Sequence, residues 1–372
     1  MAASRLALNP LNEIHLFEKR AGLGRKLLIA GSSGLNISHE APLDEFVSHY
    51  DGFTPGYWKK LFQNFGKDQW IQFIEKELGL PTFLGTSDRY FVKEMKASGL
   101  LKRWVSRLEE QGVKIHSGSE LVDFESAPQG VRLSFTGEAE SKLFNRAYFF
   151  LGGGSWEDQE PAWVSLFKKK GIGFRDFEPS NVGYEIDWKP DFLKEAEGKP
   201  FKKITLKTKR GEKAGELVVT KYGIEGTPVY FRGCPGSAFL DLKPDLTLAQ
   251  ILERLSDVKE NLAPIRRVKQ KLALPEASLA LLFHHTPAEI KNDLKKLSER
   301  IKKFPLFLKK PRPLSESISS KGGVLLAELN ESLELKKFPF VFCGGEMLDW
   351  DAPTGGFLIQ ACVSQGALLG SH

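Results

Sequence analysis

The chain has 372 residues, 41% of them hydrophobic and 27% charged, with a formal net charge of +6. That length and balance describe a globular protein of two or three domains with a sizeable core, and exclude a disordered chain. No apolar run approaches the roughly 20 residues of a membrane-spanning helix, and Cys234, Cys343 and Cys362 are too few and too scattered for a disulfide framework or a zinc site.

In chain order, residues 5–8 read as the end of a helix. Asn9, Pro10 and Asn12 interrupt any signal-peptide core, so a cytoplasmic protein is expected. Residues 13–17 read as a strand ending at Glu18, and 21–37 as a glycine-rich loop with one apolar patch, Leu27-Leu28-Ile29. From about 43 to 78, Phe46, Trp58, Leu61, Phe62, Trp70, Phe73 and Ile74 recur at helical spacing, which predicts amphipathic helices. Residues 98–111 predict a further helix, with Leu100, Leu101, Trp104, Val105 and Leu108 on one face. Strands are expected at 113–116, 120–124 and 131–135, and another at 147–151 enters the turn Gly152-Gly153-Gly154-Ser155-Trp156. Short β-type runs at 204–206, 216–220, 229–231 and 238–240 follow, and 247 to about 303 is helical and basic. Lys309-Lys310-Pro311-Arg312-Pro313 reads as the clearest linker, because its prolines break helices. A strand at 338–343 then leads to a C-terminal helix.

This order predicts an α/β fold: one discontinuous Rossmann-like domain built from 1–185 and 314–372, interrupted by an insert. The insert is expected to be β-rich over 186–245 and helical over 246–313. Charge agrees, since residues 189–313 hold 27 Lys+Arg against 15 Asp+Glu, a net +12, leaving −6 for the rest. Such a basic middle is a solvated lysine-rich face or an attractor of an anionic substrate, a cofactor phosphate or RNA.

The run from Val341 to Phe357 is the densest in chemistry. An apolar strand meets Gly344-Gly345, then Glu346, Asp349 and Thr354-Gly355-Gly356-Phe357, which opens the last helix. Glycines let a ligand approach the backbone, carboxylates hold hydroxyls, and a helix start offers unpaired N–H groups. A dinucleotide fold also needs a strand, a G-x-G-x-x-G turn and an acid about 20 positions further on. Glu18 ends a strand where a carboxylate can accept both ribose hydroxyls of an adenosine. Counting back places the glycine turn before Met1, so a reading frame that starts further upstream is expected; the alternative is a chain without that strand, with exposed sheet edges. No side chain declares itself a catalytic acid or base. His39 and Tyr90 stand nearest, His284-His285 reads as a helix-end pair, and no metal is expected.

The segment Gly24-Arg25-Lys26-Leu27-Leu28-Ile29-Ala30-Gly31-Ser32-Ser33-Gly34-Leu35-Asn36 resembles the G-R-K-x-x-x-x-G-x-G-G-x-N signature of bacterial FAD-binding oxidoreductases, the aminoacetone-oxidase-like or BaiN-like family. The likeness extends to Met95-Lys96-Ala97-Ser98, the triple glycine at 152–154, Pro179-Ser180-Asn181-Val182-Gly183, 317–324 and the long motif at 345–360. It implies a two-dinucleotide-binding-domain flavoprotein with a β-barrel-plus-helices insert and FAD as cofactor. Glu18 would take the adenosine ribose, and Arg25 and Lys26 the pyrophosphate or ribityl oxygens. Gly31, Ser32, Gly34 and Asn36 would line the flavin, with Gly153 and Gly345 as close backbone approaches and Glu346 or Asp349 on the ribityl chain. Thr354, Gly355, Gly356 and Phe357 would aim the last helix at the flavin N1/C2=O edge. The implied activity is hydride transfer through flavin N5 between NAD(P)H and a small or planar organic substrate, with reduction of a conjugated enone as the type reaction. No second glycine fingerprint is visible, so the nicotinamide donor would bind transiently or not be used, and an oxidase returning electrons to oxygen is the alternative. Two other readings stand beside this one: an RNA-modifying flavoprotein, motivated by the basic insert, and a flavin-fold scaffold without activity.

Overall fold

A computed structural model describes residues 1–31, 34–85, 87–138, 140–256 and 262–371. The chain divides into two units, Met1–Ser180 with Ile318–His372, and Asn181–Ser317.

In the first unit His15–Glu18 pairs in parallel with Lys114–Ser117. Parallel neighbours need a long crossover. Here it carries helices Arg25–Ala30, Pro55–Asn64 and Ala97–Glu110 and an antiparallel sheet ordered Asn36–His39, Arg89–Val92, Thr82–Leu84. Ala147–Phe149 pairs in parallel with Val341–Cys343, so segments from both sides of the second unit meet in one ladder. Val341, Phe342 and Cys343 are all buried, as expected of a parallel strand covered on both faces. Phe174–Ser180 pairs antiparallel with Ser319–Val324, joining the segments that leave and re-enter the unit. The last helix, Phe357–Leu369, is buried nearly all round, including the polar Gln360, Ser364 and Gln365. A helix apolar on every side belongs inside a core.

The second unit holds a six-stranded antiparallel sheet in the order Tyr184–Glu185, Gly223–Glu225, Gly211–Thr220, Pro200–Thr208, Gly236–Asp241, Phe304–Leu308. It curls until its ends meet: Lys309 N–H donates to the Glu185 carbonyl at 2.9 Å, and Glu185 N–H to the Lys310 carbonyl at 3.0 Å. Alternation sets its interior, with Phe304, Leu306 and Leu308 inward and Pro305 and Phe307 outward. Helices Leu248–Ser256, Pro264–Lys271, Glu276–His285 and Leu294–Lys302 cover it. Among the described residues no helix is long and apolar enough to cross a membrane.

Three local expectations need correction. Arg25–Ala30 is a helix inside the expected loop; Gly24, at φ +69°, turns the chain into it, and Arg, Lys, Leu and Ala favour the helix that follows. Thr227–Arg232 is a helix where 229–231 reads as a strand, because Pro228 at the first turn presets helical φ and outweighs the β-type run Val229-Tyr230-Phe231. Lys309–Arg312 is not a free connector, since its backbone completes the curled sheet.

Candidate functional site

The turn at 354–357 packs directly on strand Asn36–His39. Gly356 has φ +101°, and a Cβ there would lie 2.5–2.6 Å from the Ser38 backbone. No L side chain fits that conformation or that space. From the helix that follows, Gln360 Oε1 accepts a hydrogen bond from the buried Ser38 hydroxyl at 2.7 Å. The Phe357 ring lies 4.8 Å from His39 and 4.9 Å from Phe46, and Tyr50 O–H donates to the Phe357 carbonyl at 2.8 Å. Asn36 Oδ1 and His39 Nδ1 are buried without a hydrogen-bond partner. Thr354 is half-buried and Gly355 buried.

A second cluster joins Lys26, Gly153 and Glu346. Lys26 Nζ donates to the Gly153 carbonyl. A Cβ on Gly153 would lie 3.2 Å from the Glu346 carbonyl oxygen, and the Ser320 hydroxyl accepts from Gly154 N–H at 2.8 Å. Gly345 N–H donates to Gln365 Oε1 at 2.7 Å, so a side chain of the last helix fixes this turn. Burial lowers the Lys26 ammonium, offset by Glu346, and burial raises the Glu346 carboxyl, offset by Lys26. Two desolvated opposite charges in a backbone-rich cleft are an arrangement found at functional sites.

Asp351 is the member sequence reasoning passed over. Burial pushes its carboxyl up to about 6, although the Ser180 hydroxyl at 2.6 Å and Ala352 N–H at 2.9 Å both donate to it. Its only signal in the sequence was its place in the 345–360 motif. Asp349 instead meets Arg175 Nη1 at 3.2 Å.

The remaining predicted residues lie on strand His15–Glu18 and helix Arg25–Ala30. Glu18 Oε1 accepts from Arg20 N–H at 2.9 Å. Arg25 Nη1 reaches Glu157 at 3.4 Å and Arg20 reaches the other oxygen of Glu157 at 3.5 Å. Leu28 and Ile29 are exposed, and a surface hollow of about 480 Å³ is lined by Gly22, Leu23, Arg25, Leu28 and Ile29. Gly31 packs against Ala97, and Gly34, at φ +134°, faces Met95. Ser32 lies outside the described residues. Another cavity, of about 190 Å³, sits in Asn181–Ser317 against Trp188, His285 and Arg300, and none of the predicted residues lines it. The unmet Asn36 and His39 atoms beside the helix start and the largely apolar hollow edged by Arg25 fit a flat, hydroxylated, phosphorylated group. Among the described residues no set of three or more His, Cys, Asp or Glu side chains could hold a metal ion.

A family model described as HI0933-like protein Rossmann domain matches residues 1–372. The chain belongs to this family. HI0933-like Rossmann proteins are FAD-binding oxidoreductases, which bears out both the resemblance and the α/β class read from the sequence. The 3-dehydro-bile acid delta(4,6)-reductase of Clostridium scindens is 22% identical over 397 residues, covering 96% of this chain and 92% of the relative. Two solved structures are similar over nearly all of it. The 3-ketosteroid-delta4-(5alpha)-dehydrogenase of Rhodococcus jostii has a TM-score of 0.50 at 12% identity, over 99% of this chain and 93% of that one. The 3-ketosteroid delta1-dehydrogenase of Sterolibacterium denitrificans has a TM-score of 0.50 at 9% identity, over 100% and 96%. At such identities the likeness is one of fold.

Proposed function

We propose that this chain is an FAD-dependent oxidoreductase that moves a hydride between NAD(P)H and a small planar organic substrate, with reduction of a conjugated enone as its reaction type. The observation that carries the reading is the seating of Gly356 on Ser38. It makes one cradle from the segment around Gly34–Asn36 and the start of the last helix. In that cradle the N-terminus of Phe357–Leu369 favours negative charge on the flavin N1/C2=O edge, worth about 1 kcal/mol. Glu346 holds ribityl hydroxyls, and Lys26 holds both the Gly153 carbonyl and the charge of Glu346 in place. Arg25 and Arg20 face the phosphates, with Glu157 setting their direction, while Glu18 takes the adenosine ribose. When bound, the flavin supplies hydride chemistry at N5; the protein's part is to bind, orient and exclude water. The bile-acid reductase relative supports an enone-type substrate. In the insert that motivated the RNA reading, Lys199, Lys302 and Lys309 pair with Glu276, Asp241 and Asp187, so part of its positive charge is met within the chain.

The test is a visible spectrum of the purified protein, with chromatography of the nucleotide released on heating, followed by anaerobic addition of NADH, NADPH and then a steroid enone. A flavin spectrum, FAD on release, bleaching by one nicotinamide and recovery with the enone are expected. A protein that stays colourless after soaking in FAD would sink the proposal.

A further inference from the structure

We infer that His39 and Arg89 read the imide edge of the flavin, His39 Nδ1 accepting from N3–H while the Arg89 guanidinium donates to the adjoining C2 carbonyl. This rests on the flavin reading above and adds two residues to it.

The two side chains stand directly opposite each other in the antiparallel ladder, His39↔Arg89. Opposed residues share one face of a sheet with their Cβ atoms about 5 Å apart. Both lie against the turn that opens the last helix. A Cβ on Gly355 would sit 3.3 Å from Arg89 Nε and 3.8 Å from Nη2, and the His39 ring stacks on Phe357 with 30° between planes. Phe357 is itself held by Phe46 and by His49, 4.7 Å away, so the imidazole is fixed in orientation.

Its protonation follows from its contacts. Nδ1 is buried with no hydrogen-bond partner, and the Gly355 backbone beside the ring favours a proton on the imidazole. We assign the proton of the neutral ring to Nε2, so that the buried Nδ1 presents a lone pair. Burial, with Arg89 beside it, keeps the ring neutral. A lone-pair acceptor thus adjoins a cationic donor. A carboxylate brings only acceptors and leaves Nδ1 unmet. A ketone serves Arg89 but leaves Nδ1 unmet, and a hydroxyl serves both only where its single oxygen lies within reach of both groups. An imide, with N–H beside C=O, satisfies the pair.

The deciding experiment measures binding of FAD and of 3-methyl-FAD, in which N3 carries no proton, to the apoprotein by fluorescence quenching. Wild type should prefer FAD by roughly tenfold, the loss expected for one unmet buried acceptor, and His39→Phe, which keeps the stacking ring, should bind the two alike. Arg89→Gln should bind sulfite as the flavin N5 adduct more weakly by a similar factor, and Arg89→Lys should restore much of it. Equal binding of the two flavins by wild type, which needs no variant to fold, overturns the inference while leaving the flavoprotein reading intact. So does a preference that survives in His39→Phe. Failure of wild type to bind either flavin overturns both.

Discussion

Carboxylates of the 346–351 turn behave in the opposite way from those of Asn181–Ser317 and from Glu13, Glu40, Asp123 and Glu178 in their own unit, which all go down beside lysines. Among the described residues of Asn181–Ser317 every carboxyl that is displaced goes down: Asp191, Glu276 and Glu316 pair with Lys194, Lys199 and Arg312 at the surface of a core in which Phe192, Phe201, Leu206, Leu217 and Leu240 are fully buried. In the other unit, Glu346, Asp349 and Asp351 all go up because burial outweighs their partners. The residue types are the same, and the difference is where the chain puts them. The insert keeps charge outside a closed apolar body, whereas the 346–351 turn brings acids inside, where Lys26, Arg175, Ser180 and the Ala352 N–H repay their desolvation only in part.

Four measurements break or sharpen that contrast. Phe201→Ala empties a fully buried aromatic site in the insert and should lower stability in denaturant titrations by about 3–5 kcal/mol. A loss under about 1 kcal/mol would mean the insert core is not what holds that unit. Gly356→Ala forces a Cβ into the Ser38 backbone at φ +101°; the expected loss is about 3 kcal/mol, with flavin retention falling in parallel. Unchanged retention would remove the turn from the site. Asp351 has its folded-state carboxyl raised from 3.8 to about 6, so its protonated form favours the fold. That stabilisation is complete below its unfolded value and is lost as pH rises through about 6, by about 2–3 kcal/mol. Urea midpoints between mildly acidic and neutral pH should show the decline, and Asp351→Asn should flatten it; the same slope in the variant assigns it elsewhere. Glu316 in the insert has the opposite sign, stabilising above the usual carboxylate range and losing that as pH falls. Arg175→Ala breaks the ion pair with Asp349; the Arg175 side chain is 66% exposed, so the change should shift stability by no more than about 0.5 kcal/mol. A larger shift would mean that Arg175 offsets much of the desolvation of Asp349.

Much of the frame was legible. The apolar spacing through Leu100, Trp104 and Leu108 marked helix Ala97–Glu110, and the run before Gly344-Gly345 marked the strand at Val341–Cys343. Both are local patterns with a period of their own. Helices Arg25–Ala30 and Thr227–Arg232 were lost to competing local signals.

By itself the amino-acid order determined the family, the α/β class and the glycine turn before the last helix, because periodicity, glycine and motif spacing are written along the chain. Only the folded structure decided that Arg89 faces His39 across a ladder, that Lys26 reaches the Gly153 carbonyl, and that Asp351 is held inside while Asp349 meets Arg175. Those pairings join residues tens to hundreds of positions apart, and desolvation depends on everything packed around a group, which no stretch of neighbours in sequence contains.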